Sequence, residues 1–454
     1  MTRKAEIFEK MPVGKAVAVL AIPTILAQLV TMIYNLADTY FIGLTGDPRM
    51  VAAASLAFPA FLLLTALSNL FGIGGGSLIS RLLGAKSFDD TKKASSFSFY
   101  GCLIVTAVYS ALVFVFMTPL LNLLGADSDT FEFARRYLLW TTVVGGIPTT
   151  LSILMGNLLR SEGRVAFASV GMAMGGIVNI ILDPIFIFTF DMGIEGAAIA
   201  TMLANVASLI YFLIIFAVIR KKTVISLNPK NFTFKKSISI SVVSVGIPSF
   251  VSLMLVCVSN AVMMNLASGY HYIAVAAIGI VKKIDTIPLN VALGLGQGIL
   301  PIVAYNYSAG NYKRMDRVNL VARTTGVSFA VLCVIVFQLF PNGIVSIFMS
   351  DSVETVELAS RMLRILCLAT PFMLTNLLMN TSFQAMGKGM QSLLLSSCRQ
   401  GLLFIPCLFV MRYFIGLDGL IWTQLISDGI TLAISFSLYY AMLKNMKKSN
   451  HAQV

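Results

Sequence analysis

Long stretches without a charged residue recur along the 454-residue chain. A membrane-spanning helix needs roughly 20 consecutive apolar residues, and each of these stretches is at least that long. They cover 50–80, 94–126, 137–159, 196–219, 237–281, 286–312, 324–350 and 365–387. The stretch 237–281 is long enough for two helices, with a predicted break at Ser268-Gly269-Tyr270. Four further apolar stretches, interrupted by Asp38, Asp183, Arg399 and Asp428, bring the predicted total to twelve spans.

The composition agrees with this pattern. Hydrophobic residues make up 57% of the chain and charged residues 12%, and the mean hydropathy is +0.86. Soluble domains carry about 25% charged residues. The sequence therefore predicts an all-α polytopic membrane protein.

The net charge of +13 reflects where the basic residues lie along the chain. If the amino terminus is cytoplasmic and successive loops alternate sides, cytoplasmic segments hold 24 of the 33 Lys and Arg residues and outer loops hold six. The positive-inside rule then places both termini in the cytoplasm. The basic excess is explained by membrane topology, so nucleic acid is not expected as a partner.

The two halves of the chain repeat each other at offsets of 222 to 225 residues. Matching segments are Ile22-Pro23-Thr24 with Ile247-Pro248-Ser249, Gly72-Ile73-Gly74 with Gly296-Gln297-Gly298, and Gly163-Arg164 with Gly387-Lys388. Each half holds six spans, an even number, so both halves enter the membrane in the same direction. This predicts a parallel repeat of two pseudo-symmetric six-helix bundles, with the substrate path between them. The predicted boundaries are 1–222, a cytoplasmic linker at 223–236, and 237–454.

Two aspartates interrupt predicted spans in the first half only. Asp38 and Asp183 have Met263 and Ile405 at the matching positions of the second half. A carboxylate in hydrocarbon costs at least about 2.5–3.5 kcal/mol on insertion scales, so such residues usually serve a function. A purely structural requirement would be expected in both halves, so the acid pair indicates an ion-coupling site. The structural alternative is that the two side chains only cap or cross-link helices.

Catalytic constellations are missing from the sequence. His271 and His451 are the only histidines, the six cysteines show no CxxC spacing, and no GxxxxGK[ST] motif is present. The sequence therefore lacks the residues for a catalytic metal site or a Ser/His/Asp triad, and it lacks the motif of a nucleotide-binding P-loop. We do not expect an enzyme, and the glycines of the spans are expected to serve close helix packing.

Several motifs together resemble the multidrug and toxic compound extrusion (MATE) family. They are Ala37-Asp38-Thr39-Tyr40-Phe41-Ile42-Gly43, Arg81-Leu82-Leu83-Gly84-Ala85, Asn179-Ile180-Ile181-Leu182-Asp183-Pro184, the Arg160–Gly163 turn, and residues 193–201. The similarity is greatest to the DinF-like branch and bacterial multidrug exporters. It implies export of drugs or metabolites by alternating access, driven by inward H+ or Na+. No other cofactor is implied, and a monomer in a prokaryotic cytoplasmic membrane is expected.

The resemblance also implies a cation pocket in the first half. The family's pocket residues correspond here to Asp38, Asn179, Asp183 and Thr201, with Asn157 as the nearest counterpart of a further asparagine on the fourth helix. Independently of the family, Asn179 and Asp183 are four residues apart and share one helix face. The pocket is a candidate Na+ site as well as a proton site. The NorM-like branch carries acids in its seventh and tenth helices, but this chain has none at 248–267 or 371–382, so a second ion site there is not expected.

Lys282, Lys283 and Asp285 form a second charged group in the eighth span. Two interpretations remain open, an internal ion pair of Lys282 with Asp285 that lines a water-filled cleft, or a role in substrate binding or coupling. Arg399 and Asp428 are weaker candidates of the same kind.

Two other functions remain as alternatives to drug export. A lipid-linked oligosaccharide or lipid flippase of the same wider superfamily would favour a cationic cavity for a pyrophosphate, for which Lys282, Lys283 and Arg399 are available. A membrane-embedded enzyme is the second alternative.

Pro23 is a candidate hinge in the first span. Proline removes a backbone hydrogen bond and permits a bend, and Pro23 lies 15 residues before Asp38, or about 22 Å of helix. Loading of the pocket is expected to change this bend and to promote substrate release.

Overall fold

The computed structural model describes residues 6–348 and 352–451. Most of these residues are helical, and none of them forms a strand. Six long helices precede the linker and six follow it. The first six are α1 (Val13–Gly43), α2 (Pro48–Gly84), α3 (Phe88–Val115), α4 (Phe131–Leu138, π-helical Leu139–Val144 and Gly146–Ser161), α5 (Val165–Pro184 with π-helical Ile185–Thr189) and α6 (Gly193–Ile219). The second six are α7 (Lys236–Ser268), α8 (Tyr272–Ser308), α9 (Tyr312–Leu339), α10 (Val353–Leu366, a 3-10 turn at Cys367–Ala369 and Thr370–Ala385), α11 (Gly389–Ser397, π-helical Cys398–Leu402 and Phe404–Ile415) and α12 (Leu417–His451).

These helices are suited to a membrane. Within the described residues, eleven are long and apolar enough to cross one, and α4 is the twelfth if its two segments, bent by 48°, form a single span. Large apolar side chains such as Val115, Leu213, Val218 and Phe414 are exposed on the outside of the bundle, as expected for groups that contact lipid. The prediction of an all-α polytopic membrane protein is confirmed.

The α7–α8 boundary agrees with the sequence, whereas α3 and α4 differ from it. α7 ends at Ser268 and α8 begins at Tyr272, so the predicted break is confirmed. α3 ends at Val115 rather than at residue 126, because the last part of that apolar stretch forms a separate short helix, Met117–Leu123.

α4 begins at Phe131, six residues before the charge-free stretch. Its first turns carry Arg136. The guanidinium lies 3.0 Å from the carboxylate of Glu132 and 3.2 Å from that of Glu195. The charges are therefore paired at the exposed start of the helix and do not end it.

The two halves pack most closely where the first and second helices of one half contact the second and first helices of the other. α1 packs on α8 and α2 packs on α7, although α1 corresponds to α7 and α2 to α8 in the repeat. A Cβ added to Gly74 of α2 would collide with the carbonyl oxygen of Val242, and one added to Gly298 of α8 would lie 2.6 Å from the Cα of Ala21. The repeat-related glycines thus allow close helix approach at matching points on both sides of the interface.

The closest contacts between the two halves lie toward one end of the bundle. We call this end the linker end, because it carries the connection 220–235. There the Ser77 hydroxyl donates to the carbonyl oxygen of Gln384 at 2.5 Å. The π-helical segment Glu6–Lys10 is also held there, since Arg314 Nε donates to the carbonyl oxygen of Phe8 at 2.7 Å. Arg3 and Lys4, which belong to the predicted basic amino-terminal segment, lie outside the described residues, as does the carboxyl terminus at 452–454.

Candidate functional site

Three of the predicted pocket residues form one hydrogen-bonded group between α5 and α6. Asp183 has 0% exposure, and Asn179, one turn earlier on α5, has 1%. The Asn179 Nδ2 donates to Asp183 Oδ1 at 3.0 Å and to Thr201 Oγ1 of α6 at 3.3 Å. The helical spacing predicted the contact of Asn179 with Asp183, and the contact with Thr201 agrees with the set that the family resemblance implied.

Asp38 joins this group from α1. Its side chain is half-buried, and its carboxylate interacts electrostatically with that of Asp183. Tyr34, one turn before Asp38, and Tyr137 of α4 both interact with the two carboxylates. Sequence reasoning missed both tyrosines, although the spacing of Tyr34 and Asp38 would have placed them on one helix face.

Several oxygen atoms of the pocket have no hydrogen-bond donor. Asp38 Oδ1, Asn179 Oδ1 and Asp183 Oδ2 are buried, and none of them has a partner among the described residues. Leaving buried acceptors unsatisfied costs about 1–3 kcal/mol each, and more for charged groups. Three such oxygens on α1 and α5 form a set that can accept a proton or coordinate a cation through oxygen.

Asn157 does not join this pocket. Asn157 lies four residues before the end of α4, and Asp183 lies 18 residues after the start of α5. Both of these helix termini are at the linker end, so the two residues differ in depth by 14 residues, or about 21 Å of helix. Arg160 Nη1 donates to Asn157 Oδ1 at 2.7 Å, and both residues line a cavity between the two halves. The assignment of Asn157 to the cation pocket is therefore corrected.

The charged group of the second half is organised around Asp428. This carboxylate has 0% exposure and accepts from Arg399 Nε at 2.7 Å and from Gln424 Nε2 at 2.7 Å. Lys282 and Asp285 interact electrostatically with each other and with this pair, but within the described residues they form no ion pair of their own. Of the two open interpretations, the internal ion pair of Lys282 with Asp285 is not formed among the described residues. The buried ion pair of this region joins Arg399 to Asp428, and Lys283 is exposed.

Pro23 lies inside α1, which continues through it without a break. Two nearby residues, Ala21 and Ile25, are the ones whose backbones approach Gly298 and Gly294 of α8 most closely. Pro23 is therefore in the contact region between the halves, where a change in helix bend would alter their packing.

The usual metal-binding side chains form no cluster in the part of the chain that the structure describes. Within residues 6–348 and 352–451, no group of three or more His, Cys, Asp or Glu side chains could hold a metal ion. All six cysteines are free thiols.

Comparison with known proteins gives consistent matches over nearly the whole chain. The MatE family model matches twice, at residues 23–185 and 248–410, so the two matches are related by the internal repeat. The multidrug export protein MepA of Staphylococcus saprophyticus is 34% identical over 435 residues, which cover 96% of this chain and 95% of that protein. MepA of Staphylococcus aureus is 32% identical over the same lengths. A solved multidrug resistance MATE family transporter of the MOP superfamily, in an outward-facing conformation, superposes with a TM-score of 0.90 at 23% identity over 99% of both chains.

Proposed function

The chain belongs to the MATE family of multidrug transporters, and from that premise we propose that it is a secondary active antiporter. It exports drugs or other amphipathic, often cationic, small molecules in exchange for H+ or Na+. Family membership confirms the predicted resemblance and makes the chain a membrane transporter rather than an enzyme. The ion, the exchange and the site residues are our proposal.

The buried oxygens of the acid pocket carry this proposal. Asp38 Oδ1, Asn179 Oδ1 and Asp183 Oδ2 lack donors among the described residues, while the second half has Met263 and Ile405 at the corresponding positions. A bound Na+ can be coordinated by these oxygens, and a bound proton turns one carboxylate into a neutral group with one O–H donor. Either ion lowers the electrostatic repulsion between the two carboxylates. Releasing the ion on the other side of the membrane restores the charged pair.

The membrane potential can supply the free energy for this cycle. Moving one positive charge inward gains about 2.3 kcal/mol per 100 mV. Two conformations that differ by a few kcal/mol can be repopulated by a ligand that binds one of them better. The voltage-driven gain is therefore of the size needed to bias alternating access.

Alternating access is proposed to occur by movement of the halves 1–222 and 237–454 against each other. Their closest helix contacts, α1 with α8 and α2 with α7, lie toward the linker end. Opening this end requires those contacts to separate, and Pro23 lies in one of them. We propose Pro23 as the hinge through which α1 responds to loading of the pocket.

We further propose that the protein acts as a monomer in a prokaryotic cytoplasmic membrane with its linker end in the cytoplasm. The excess of Lys and Arg in the connections at that end supports this orientation. A single cysteine introduced at the exposed Lys230 in a cysteine-free background should react with an impermeant maleimide only after cell lysis. One introduced at the exposed Asp129 should react in intact cells, and the reverse pattern would contradict the orientation.

The structure gives little support to the flippase alternative. The charge of Arg399 is neutralised by Asp428 at 2.7 Å, which removes one of the cations that a pyrophosphate would use.

Dye efflux from energised vesicles tests the proposed function. Vesicles with the protein should export a cationic dye when a pH or Na+ gradient is imposed, and collapse of the effective gradient by an ionophore should stop export. Efflux that is insensitive to both gradients would contradict antiport. Flipping of a fluorescent lipid without dye export would favour the flippase.

A further inference from the structure

A second polar site lies between the two halves, toward the linker end. It is a cavity of about 140 Å³ lined by side chains from both halves. Polar lining comes from Asn157 and Arg160 of α4, Gln297 of α8, and Asn380 and Gln384 of α10. Leucines of α7, α8 and α10 line its apolar part. This combination suits the polar group of an amphipathic molecule.

Arg160 gives the cavity a positive charge. Its side chain is only 3% exposed, and Nη1 donates to Asn157 Oδ1 while Nη2 contacts the sulfur of Met172. Nε has no hydrogen-bond partner among the described residues, and the residues that line the cavity include no carboxylate. A buried charge is normally paired, because removing it from water without a counter-charge costs several kcal/mol.

The internal repeat shows that this charge belongs to one half only. At the offset of 224 residues that relates Gly163 to Gly387, Arg160 corresponds to Gln384 and Asn157 to Thr381. All four residues line the same cavity. Gln384 donates from Nε2 to Ser392 Oγ at 3.2 Å, so a neutral side chain at this position is satisfied in the fold. The guanidinium is therefore a specific addition in the first half and is not required by the shared helix packing.

We propose that this cavity binds the carboxylate of a zwitterionic or anionic amphiphile, with Arg160 as its counter-charge. A guanidinium with a free N–H is a strong and geometrically specific donor to a carboxylate. Because Asn157 Oδ1 already accepts from Arg160, the amide Nδ2 of Asn157 is left as a second donor. Drug-sized pockets usually measure about 300–1,000 Å³, so this cavity of about 140 Å³ has room for the carboxylate and the atoms next to it, and the rest of the molecule lies outside it.

This inference rests on the proposed transport function and adds a substrate class to it. The acid pocket lies about 21 Å nearer the opposite end of the bundle and carries negative charge. The cavity around Arg160 carries positive charge. The protein therefore offers anionic groups a site that is separate in position and sign from the cation pocket.

The test is dye binding to the purified, detergent-solubilised full-length protein, measured by fluorescence polarisation. Two probes differ in one group, a rhodamine with a free carboxylate and the methyl ester of the same dye. Arg160→Gln gives the first half the side chain that the second half already has. It should weaken binding of the free acid about tenfold, which corresponds to about 1.4 kcal/mol, and should tighten binding of the cationic ester. Lys313→Gln, which removes one charge from an exposed position at the same end, is the matched control and should change neither.

A second, independent variant places the arginine at the repeat-related position in the other half. Gln384→Arg should tighten binding of the free acid in the wild-type background and restore it in the Arg160→Gln background. This variant tests the proposal even if Arg160→Gln fails to fold. Two results would overturn the proposal. Folded Arg160→Gln protein could lose affinity for the free acid and the ester equally, or it could bind both with the affinities of the wild type.

Addition of acetate or chloride distinguishes the source of the anion. If the substrate's own carboxylate occupies the site, these salts should compete with the free acid only. If a free anion fills the site, ester binding by the wild type should depend on the salt, and Arg160→Gln should remove that dependence. Efflux of the ester by wild-type vesicles reports on the proposed function separately, so failure of one conclusion leaves the other measurable.

Discussion

Breaking the buried ion pair of the second half should destabilise the protein strongly. Asp428 is fully buried and accepts two hydrogen bonds of 2.7 Å, from Arg399 and Gln424. In Asp428→Asn, the amide nitrogen faces one of these donors and the charge of Arg399 loses its partner. Breaking a buried pair by removing one member costs about 3–5 kcal/mol. The double variant Arg399→Leu/Asp428→Leu should recover most of this loss, because apolar replacement of a whole buried pair is often neutral.

Reversible unfolding of purified protein by SDS in mixed micelles, followed by circular dichroism, measures these differences. Arg361→Gln is the matched control, since it breaks an ion pair with Asp418 in which the arginine is 66% exposed. Exposed pairs contribute about 0–1 kcal/mol, so this variant should resemble the wild type. A stability of Asp428→Asn equal to that of the control would refute the structural role of the pair.

Three further predictions concern the interface and the core. Pro23→Ala should slow dye efflux while the protein remains folded in the membrane, and unchanged efflux kinetics would remove Pro23 from the mechanism. Gly74→Ala should slow dye efflux, because the added Cβ collides with the Val242 carbonyl and prevents close packing at the linker end. Gly279 has open space around it, so the control Gly279→Ala should be neutral or stabilise the protein by up to about 1 kcal/mol. Equal efflux from both variants would contradict the close contact. Met263→Ala should lower stability by about 2–5 kcal/mol, since Met263 is 1% exposed in the apolar core, and should keep ion-dependent efflux; loss of that dependence would contradict the asymmetry of the halves.

Most of the fold could be predicted from the spacing of charged residues. Hydrocarbon excludes unpaired charge, so uncharged stretches of sufficient length identified the spans. The charge-free stretch begins six residues after the true start of α4, because Arg136 pairs with Glu132 within the helix and with Glu195 of α6. The spacing of charges also did not predict the 48° bend of α4. The signal for that bend is local, since Gly145, Gly146 and Pro148 lie at the break and such residues permit helix kinks.

Local spacing predicted one contact of the candidate site and missed those that join separate helices. Asn179 and Asp183 lie on one turn, so their hydrogen bond follows from helix geometry. Arg399 and Asp428 are 29 residues apart on different helices, and only the packing of α11 against α12 makes them a pair. The position of Asn157 likewise depends on depth in the membrane, which the family resemblance alone did not resolve.

Efflux by variants of the acid pocket tests the central proposal most directly. Asp183→Asn and Asp38→Asn keep the size of each side chain but cannot alternate between a charged and a neutral form. Vesicles with each variant are energised across a pH series with and without Na+, and Met263→Ala serves as the control from the second half. Both asparagine variants should lose ion-driven dye efflux while they remain expressed and folded. Efflux from Asp183→Asn with the same ion dependence as the wild type would contradict the assignment of the coupling site to this pocket.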